Sequence, residues 1–311
     1  MISCTEFIPC YSELFSYLHD KNGFEEVEKL WDYLFKPTED GLPLINFVKN
    51  EGLHGCWSYW SGTLNEEAAD FTMYLNEKRG YFTIQMHKCP SKGRLLELER
   101  TLGIKPYPNY CLHCAYYRSA VEKIGLEYQY NFIGTDKAAC SLLIYDPQIF
   151  DGRIIVDDDT MVMDKKSSDN EYFHPDFHSS MNMGIHYVGE HYGKDGVVEF
   201  LTRYANNVYK KEIQEIKKNR LNAIKEFIIN NYKKEKSESN VSFEQTKDSL
   251  DVYISECPAV KHLTLTGRSV SKWYKYTSEI IMQVFSDIAE AGFTINKYND
   301  ETGETHFSFK I

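Results

Sequence analysis

Apolar positions recur at helical spacing over residues 11–19, 24–36, 41–50 and 64–77. This predicts four helices, each turning one face to a core. The period then changes. Residues 81–87 alternate between apolar and polar and predict a strand. Residues 110–124 return to helical spacing and stop at Gly125, and residues 126–132 and 139–145 alternate again. The second half repeats the order. Helices are predicted at 177–192, 195–209 and 212–232, a strand at 250–256, and a helix at 272–291 before Gly292. Strands at 293–298 and 304–310 flank the turn-forming run Asn299-Asp300-Glu301-Thr302-Gly303.

The parallel extends to single residues. KCPSKGRL at 88–95 is matched by ECPAVKHL at 256–263, so Cys89, Pro90 and Leu95 recur as Cys257, Pro258 and Leu263. Gly125, Ser141 and Ile144 map onto Gly292, Ser308 and Ile311, and the run Gly23–Val27 maps onto Gly193–Val197. Three segments in one order, at a nearly constant offset, imply a tandem duplication. The expected fold class is α+β. Its module has an N-terminal helical part and a small antiparallel sheet crossed by one helix. The first copy is expected at 1–146 and the second at 173–311. The acidic stretch 147–172 between them is expected to be a linker, with a short strand at 153–156 as its one regular feature. The polar tract KKEKSESN at 233–240 is expected to be an exposed loop.

Composition narrows the function classes. A chain of 311 residues suits two domains of roughly 150 residues each. A net charge of −11 repels nucleic acid and anionic membrane surfaces, so neither is an expected partner. No apolar run approaches the roughly 18 residues of a membrane span. The segment Met1–Glu6 does not read as a secretory signal, so a cytoplasmic location is expected. The 23 tyrosines and 18 phenylalanines offer rings for a core or a small-molecule pocket. Oligomeric state is left open. In a reducing compartment, eight cysteines read as thiols, metal ligands or nucleophiles before disulfides.

Three constellations carry candidate chemistry. The first is Cys89, Cys111, Cys114 and Cys140, with one C-x2-C pair among them. In the predicted module these positions are a strand end, a helix start and the last strand, which can converge. Soft thiolates suit zinc, ahead of an iron–sulfur cluster. A single nucleophilic cysteine and four small core residues are the alternatives. His87 and His113 flank the group. The repeat sets Cys257, Ser278, Ile281 and Phe307 against the four cysteines, so the site belongs to the first copy alone. The second constellation is His174, Asp176 and His178 around Pro175, followed by His186, Glu190 and His191. Two imidazoles and a carboxylate near one helix start can hold a metal or move protons, or simply cap the helix. It belongs to the second copy, where His174 is set against Cys4 and His178 against Ile8. The third is Cys56 within GLHGCWSYW at 52–60, a candidate nucleophile beside His54 and Trp57, or core. No phosphate-binding glycine loop, H-E-x-x-H or G-x-S-x-G motif is present.

The second half resembles the L-2-amino-thiazoline-4-carboxylic acid hydrolase family. The resemblance is carried by HPDFHSSMNMGIHYVGEHYG at 174–193, by Cys257-Pro258, and by the strand pair after Gly292. The cysteines of the first half are similar to those of small-molecule-binding sensor domains that hold zinc. The family resemblance implies hydrolysis at the C=N carbon of a small cyclic sulfur–nitrogen compound, or related amide or thioamide chemistry at a non-peptide C–N bond. A cysteine or a metal-activated water would attack, with His174, Asp176 or His178 handling protons. It transfers no catalytic residue by position. The alternative is a non-catalytic small-molecule-binding or sensor protein with a structural zinc site.

Overall fold

The computed structural model describes residues 1–38 and 42–311. Gly41, the first residue of the helix predicted at 41–50, lies outside the described residues. The chain opens with α1 (Phe7–Asn22), α2 (Phe24–Leu34), α3 (Leu44–Glu51) and α4 (Leu53–Glu66). The hairpin β1 (Asp70–Asn76) and β2 (Tyr81–Lys88) follows, then α5 (Pro90–Leu102). A 3-10 stretch at Tyr110–Tyr117 runs into α6 (Arg118–Glu122), before β3 (Glu127–Asn131), β4 (Cys140–Tyr145) and β5 (Met161–Lys165). The later part holds α7 (Phe177–Val208), α8 (Lys210–Asn219), α9 (Leu221–Lys234), β6 (Val241–Gln245) and β7 (Ser249–Ile254). It closes with α10 (Pro258–Leu265), α11 (Tyr276–Ile288), β8 (Gly292–Tyr298) and β9 (Thr305–Lys310). The fold class is α+β, and both sheets are antiparallel.

The chain divides into two compact units. One is Leu18–His174, and the other joins Met1–Tyr17 to Pro175–Ile311. The stretch expected to be a linker therefore lies inside the first of these. There β5 pairs with β1 and adds a fifth strand, and the Asn76 amide ties Asp157 and Thr160 at 2.8 and 2.9 Å. Residues 64–77 are not one helix. Helix α4 ends at Glu66 and β1 begins at Asp70, with Phe71, Met73 and Leu75 buried. The two periods agree on Phe71 and Leu75, so spacing alone does not separate them. Strand β6 was not anticipated beside the polar tract at 233–240.

In each unit a hairpin is followed by a helix, a crossing helix and a second hairpin. The strand orders are β3-β4-β2-β1-β5 and β6-β7-β9-β8, so the four-strand cores share one topology. Special backbone angles fall at matching places. Gly23 breaks α1 from α2 at φ 80°, ψ −173°, and Gly193 bends α7 at φ 66°, ψ −166°. Gly52 separates α3 from α4 at φ 57°, ψ −128°, and Arg220 separates α8 from α9 at φ 47°, ψ −122°. Cys89 caps α5 and Cys257 caps α10, each followed by a proline, which suits a position whose N–H has no intrahelical partner.

Pairing fixes the equivalences more closely than the sequence does. Met86, three residues before Cys89, pairs with Cys140; Ile254, three before Cys257, pairs with Thr305. After α6 the Leu126 amide bonds Val121 O at 3.2 Å, and after α11 the Ala291 amide bonds Ser286 O at 3.0 Å. Counting back from those helix ends sets Cys111, Cys114 and Cys140 against Tyr276, Glu279 and Thr305. The sequence had matched them to Ser278, Ile281 and Phe307.

The same register sets Gly125 (φ 83°) against Glu290 (φ 51°). A side chain at positive φ costs about 1–2 kcal/mol. Glu290→Gly is therefore expected to raise stability by about 1 kcal/mol, and Gly125→Ala to lower it by about as much, in urea unfolding monitored by circular dichroism. Equal midpoints for Glu290→Gly and the native chain would show that the turn is unstrained.

Candidate functional site

In the Leu18–His174 unit all four candidate cysteines line one small cavity of about 40 Å³. Different elements bring them there. Cys89 caps α5, and its sulfur accepts a hydrogen bond from the Lys92 amide at 3.4 Å. Cys111 and Cys114 sit on the 3-10 stretch, where residues three apart eclipse, so both thiols face one side. Cys140 opens β4. His113 and Tyr130 complete the wall. The His113 Nδ1–H meets the Tyr110 carbonyl, which leaves Nε2 to face the Cys114 sulfur at 3.6 Å. The Tyr128 hydroxyl donates to Cys114 O at 2.7 Å and pins the crossing segment to β3.

The electrostatics follow from burial beside like groups. Burial, with the Cys114 and Cys140 thiols nearby, pushes Cys111 up to about 12, against the opposing pull of Lys92. Burial pushes Cys114 up to about 12 and Cys140 to about 11, each partly offset by a hydrogen bond from Tyr130. Cys89 is raised by burial and by its three companions. Burial lowers His113 to about 4, so its imidazole is neutral at pH 7. Without a cation the four cysteines are thiols; a bound divalent ion would reverse this, because a coordinating thiol is deprotonated outright.

The residues of the second candidate group have separate partners. His174 belongs to the Leu18–His174 unit, where its Nδ1 pairs with Glu66 at 2.5 Å. Asp176 and His178 belong to the other unit. Asp176 accepts from Ser179 at 2.8 Å and pairs with Arg268 at 3.0 Å and His262 at 3.3 Å. His178 is 1 % exposed; its Nε2 meets Glu235 at 3.0 Å and its Nδ1 faces the Tyr274 hydroxyl at 3.4 Å. The second Glu235 oxygen accepts the Cys4 amide at 2.6 Å. Cys4, His178 and Glu235 present three ligand atoms within 4.8 Å of one another, close enough to share a cation. No three thiols of the cysteine cavity come that close. Cys56 is wholly buried on α4, and burial drives its thiol far up, against action as a nucleophile.

Cys4, Glu235 and Tyr274 were not anticipated. Glu235 falls in the tract expected to be an exposed loop, yet it is 5 % exposed. A charged residue in a lysine-rich run carries no sequence signal of burial. Around the cysteines, Tyr130 was missed because nothing separates one alternating tyrosine from another.

Burial pushes the Glu235 carboxyl up, but the hydrogen bond and charge of His178, the Ser3 hydroxyl and the Cys4 amide outweigh it and hold the group below its ordinary value. A lowered carboxyl stabilises the fold above its unfolded pKa of about 4.3 and loses that contribution as pH falls through its folded pKa. Glu235→Gln is expected to cost about 3 kcal/mol at pH 7, and the difference from the native chain should shrink at pH 3. Urea unfolding at both pH values tests this. A difference that stays constant with pH would rule out the charge as its source.

The comparisons leave the geometry to speak alone: no protein family, no curated protein and no solved structure matches the chain.

Proposed function

We propose that the chain is a small-molecule-binding protein whose Leu18–His174 unit holds a structural zinc ion on Cys89, Cys111, Cys114 and Cys140. One observation carries the zinc assignment. Four cysteines dispersed over a strand end, a 3-10 segment and a later strand line a single cavity of about 40 Å³. A cavity holds a water from roughly 10–15 Å³ upward, so a small ion has room. Four thiolates satisfy a tetrahedral zinc, and these four would have to close up around the ion, since no three of them lie within 4.8 Å of one another. The Lys92 amide already supports the Cys89 sulfur, as donors around a metal-bound thiolate do.

Binding is favoured over catalysis because the candidate catalytic residues are dispersed or sealed: Cys56 is buried, and His174 and His178 each have a carboxylate partner of their own. A hydrolase of small C–N compounds is the second reading. It keeps one observation, the buried Cys4–His178–Glu235 cluster, whose three ligand atoms could hold a metal ion that activates water. Turnover of 2-amino-thiazoline-4-carboxylate that disappears in Cys4→Ser would establish it. Absence of turnover by the native chain would remove it.

Protein purified without oxygen is expected to contain about one zinc per chain by elemental analysis. Cys111→Ser and Cys114→Ser should each release it and lower the unfolding temperature by about 5 °C or more, a cost on the order of 2 kcal/mol. Cys10→Ser, elsewhere in the core, should keep the metal. Metal-free native protein whose four cavity thiols all alkylate freely would overturn the zinc site.

A further inference from the structure

The pairing register assigns a second cavity to the same place in the other unit. Tyr110, His113, Cys114, Tyr130 and Cys140 of the first cavity fall opposite Lys275, Ser278, Glu279, Ile295 and Thr305. All five of these line a cavity of about 150 Å³ against α11, β8 and β9. One fold position is therefore hollow in both units, and its chemistry is opposite. The Cys114 and Cys140 thiols are replaced by a carboxylate and a threonine, and the Tyr130 ring by an isoleucine. The second cavity is also several times larger, because Met282, Phe293 and Phe307 wall it without filling it.

We infer that this cavity of the Pro175–Ile311 segment binds a one-ring aromatic molecule carrying an amine. The inference rests on reading the chain as a small-molecule-binding protein, and it names that ligand's class. Size sets the ring: a cavity of about 150 Å³ has room for a benzene-sized molecule, and Met282, Phe293, Ile295 and Phe307 give this one an apolar part of its wall. The wall sets the aromatic character. Phe293 and Phe307 stand 5.9 Å apart at 61°, an edge arrangement that receives a third ring well. Charge sets the amine. Two charged residues line the cavity, Lys275 and Glu279. The Lys275 ammonium lies 5.7 Å over the Tyr276 ring, and Tyr276 is not part of the lining. Glu279 sits opposite Cys114 by register, on the crossing helix and so against the cavity. A carboxylate there favours an ammonium, whose charge the aromatic wall also attracts.

Calorimetric titration of the full chain with benzylamine, benzyl alcohol and benzoate tests the inference. Benzylamine is expected to bind saturably and most tightly, and benzoate to bind at least tenfold more weakly. Glu279→Gln should weaken benzylamine at least tenfold. Ile295→Trp, which fills the space, should abolish binding, and Phe293→Trp serves if that variant does not fold. Glu97→Gln, on the exposed face of α5, should bind as the native chain does. No saturable benzylamine binding, or unchanged binding by a folded cavity-filling variant, overturns the site. Benzoate binding as tightly as benzylamine overturns the role of Glu279. Zinc content measured on the same samples separates the outcomes: metal present without benzylamine binding defeats this cavity and leaves the zinc site standing, and the reverse defeats the zinc site alone.

Discussion

In each unit one backbone hydrogen bond joins the start of a helix to the loop before the final strand. The Cys89 amide donates to Ala138 O at 2.7 Å, and the Cys257 amide donates to Thr302 O at 3.0 Å. The proline that follows each cysteine has no N–H and opens the next helix with its φ already suited to it. The cysteine amide is thereby left to the loop between the last two strands. This bond ties the end of the hairpin's second strand to the start of the final strand. With β2 on β4 and β7 on β9, it fixes which residues stand opposite each other. Helix start, crossing helix and final strand then have to leave a small space between them, and both cavities occupy it.

What fills that space differs through a handful of side chains. Four thiols shrink the first cavity to ion size and give it soft donors. Their burial raises every thiol, a cost that a divalent cation must outweigh to hold them as thiolates. The second cavity exchanges donors for rings and methyl groups and keeps one carboxylate on the crossing helix. The backbone frame tolerates both because it is held by main-chain bonds that no side chain supplies.

The order of elements was legible in the sequence because long periodic segments announce themselves; the register was not. A strand repeats every two residues, so a slip of two leaves every side chain on its proper face. Matching Cys140 to Phe307 in place of Thr305 therefore disturbed no alternation. On a helix the same slip turns a residue to nearly the opposite face. It exchanged Glu279, which lines the cavity, for Ile281, which is buried elsewhere on α11. The cysteine cluster survived the error because it was judged by its own residue types. The identity of its counterpart did not. Strands β5 and β6 were missed for a different reason: Met161 and Val162 on β5 are exposed, and β6 is largely exposed as well, so neither strand shows the buried alternation that marks a half-covered sheet.

The Cys4–His178–Glu235 cluster shows why a local reading of the histidines could not succeed. Its members come from chain positions that only the fold unites, and its partners point to a structural task. Glu235 holds the Cys4 amide and Asn231 holds the Met1 carbonyl at 2.8 Å. Lys234 and Tyr209 both reach Glu6 at 2.6 Å, and Arg203 pairs with Glu13. Every one of these contacts fastens the Met1–Tyr17 segment to α7, α9 or the residues around them. A buried ion pair contributes little net stability against an apolar replacement of the same shape. It does penalise any arrangement that leaves one partner alone. Polar groups of the first segment that must find Glu235, Asn231 and Arg203 restrict its register more than its buried apolar positions Ile2, Phe7 and Ile8 do. Buried charge here specifies where the chain's first helix begins, and that requirement accounts for His178 and Glu235 without calling on catalysis.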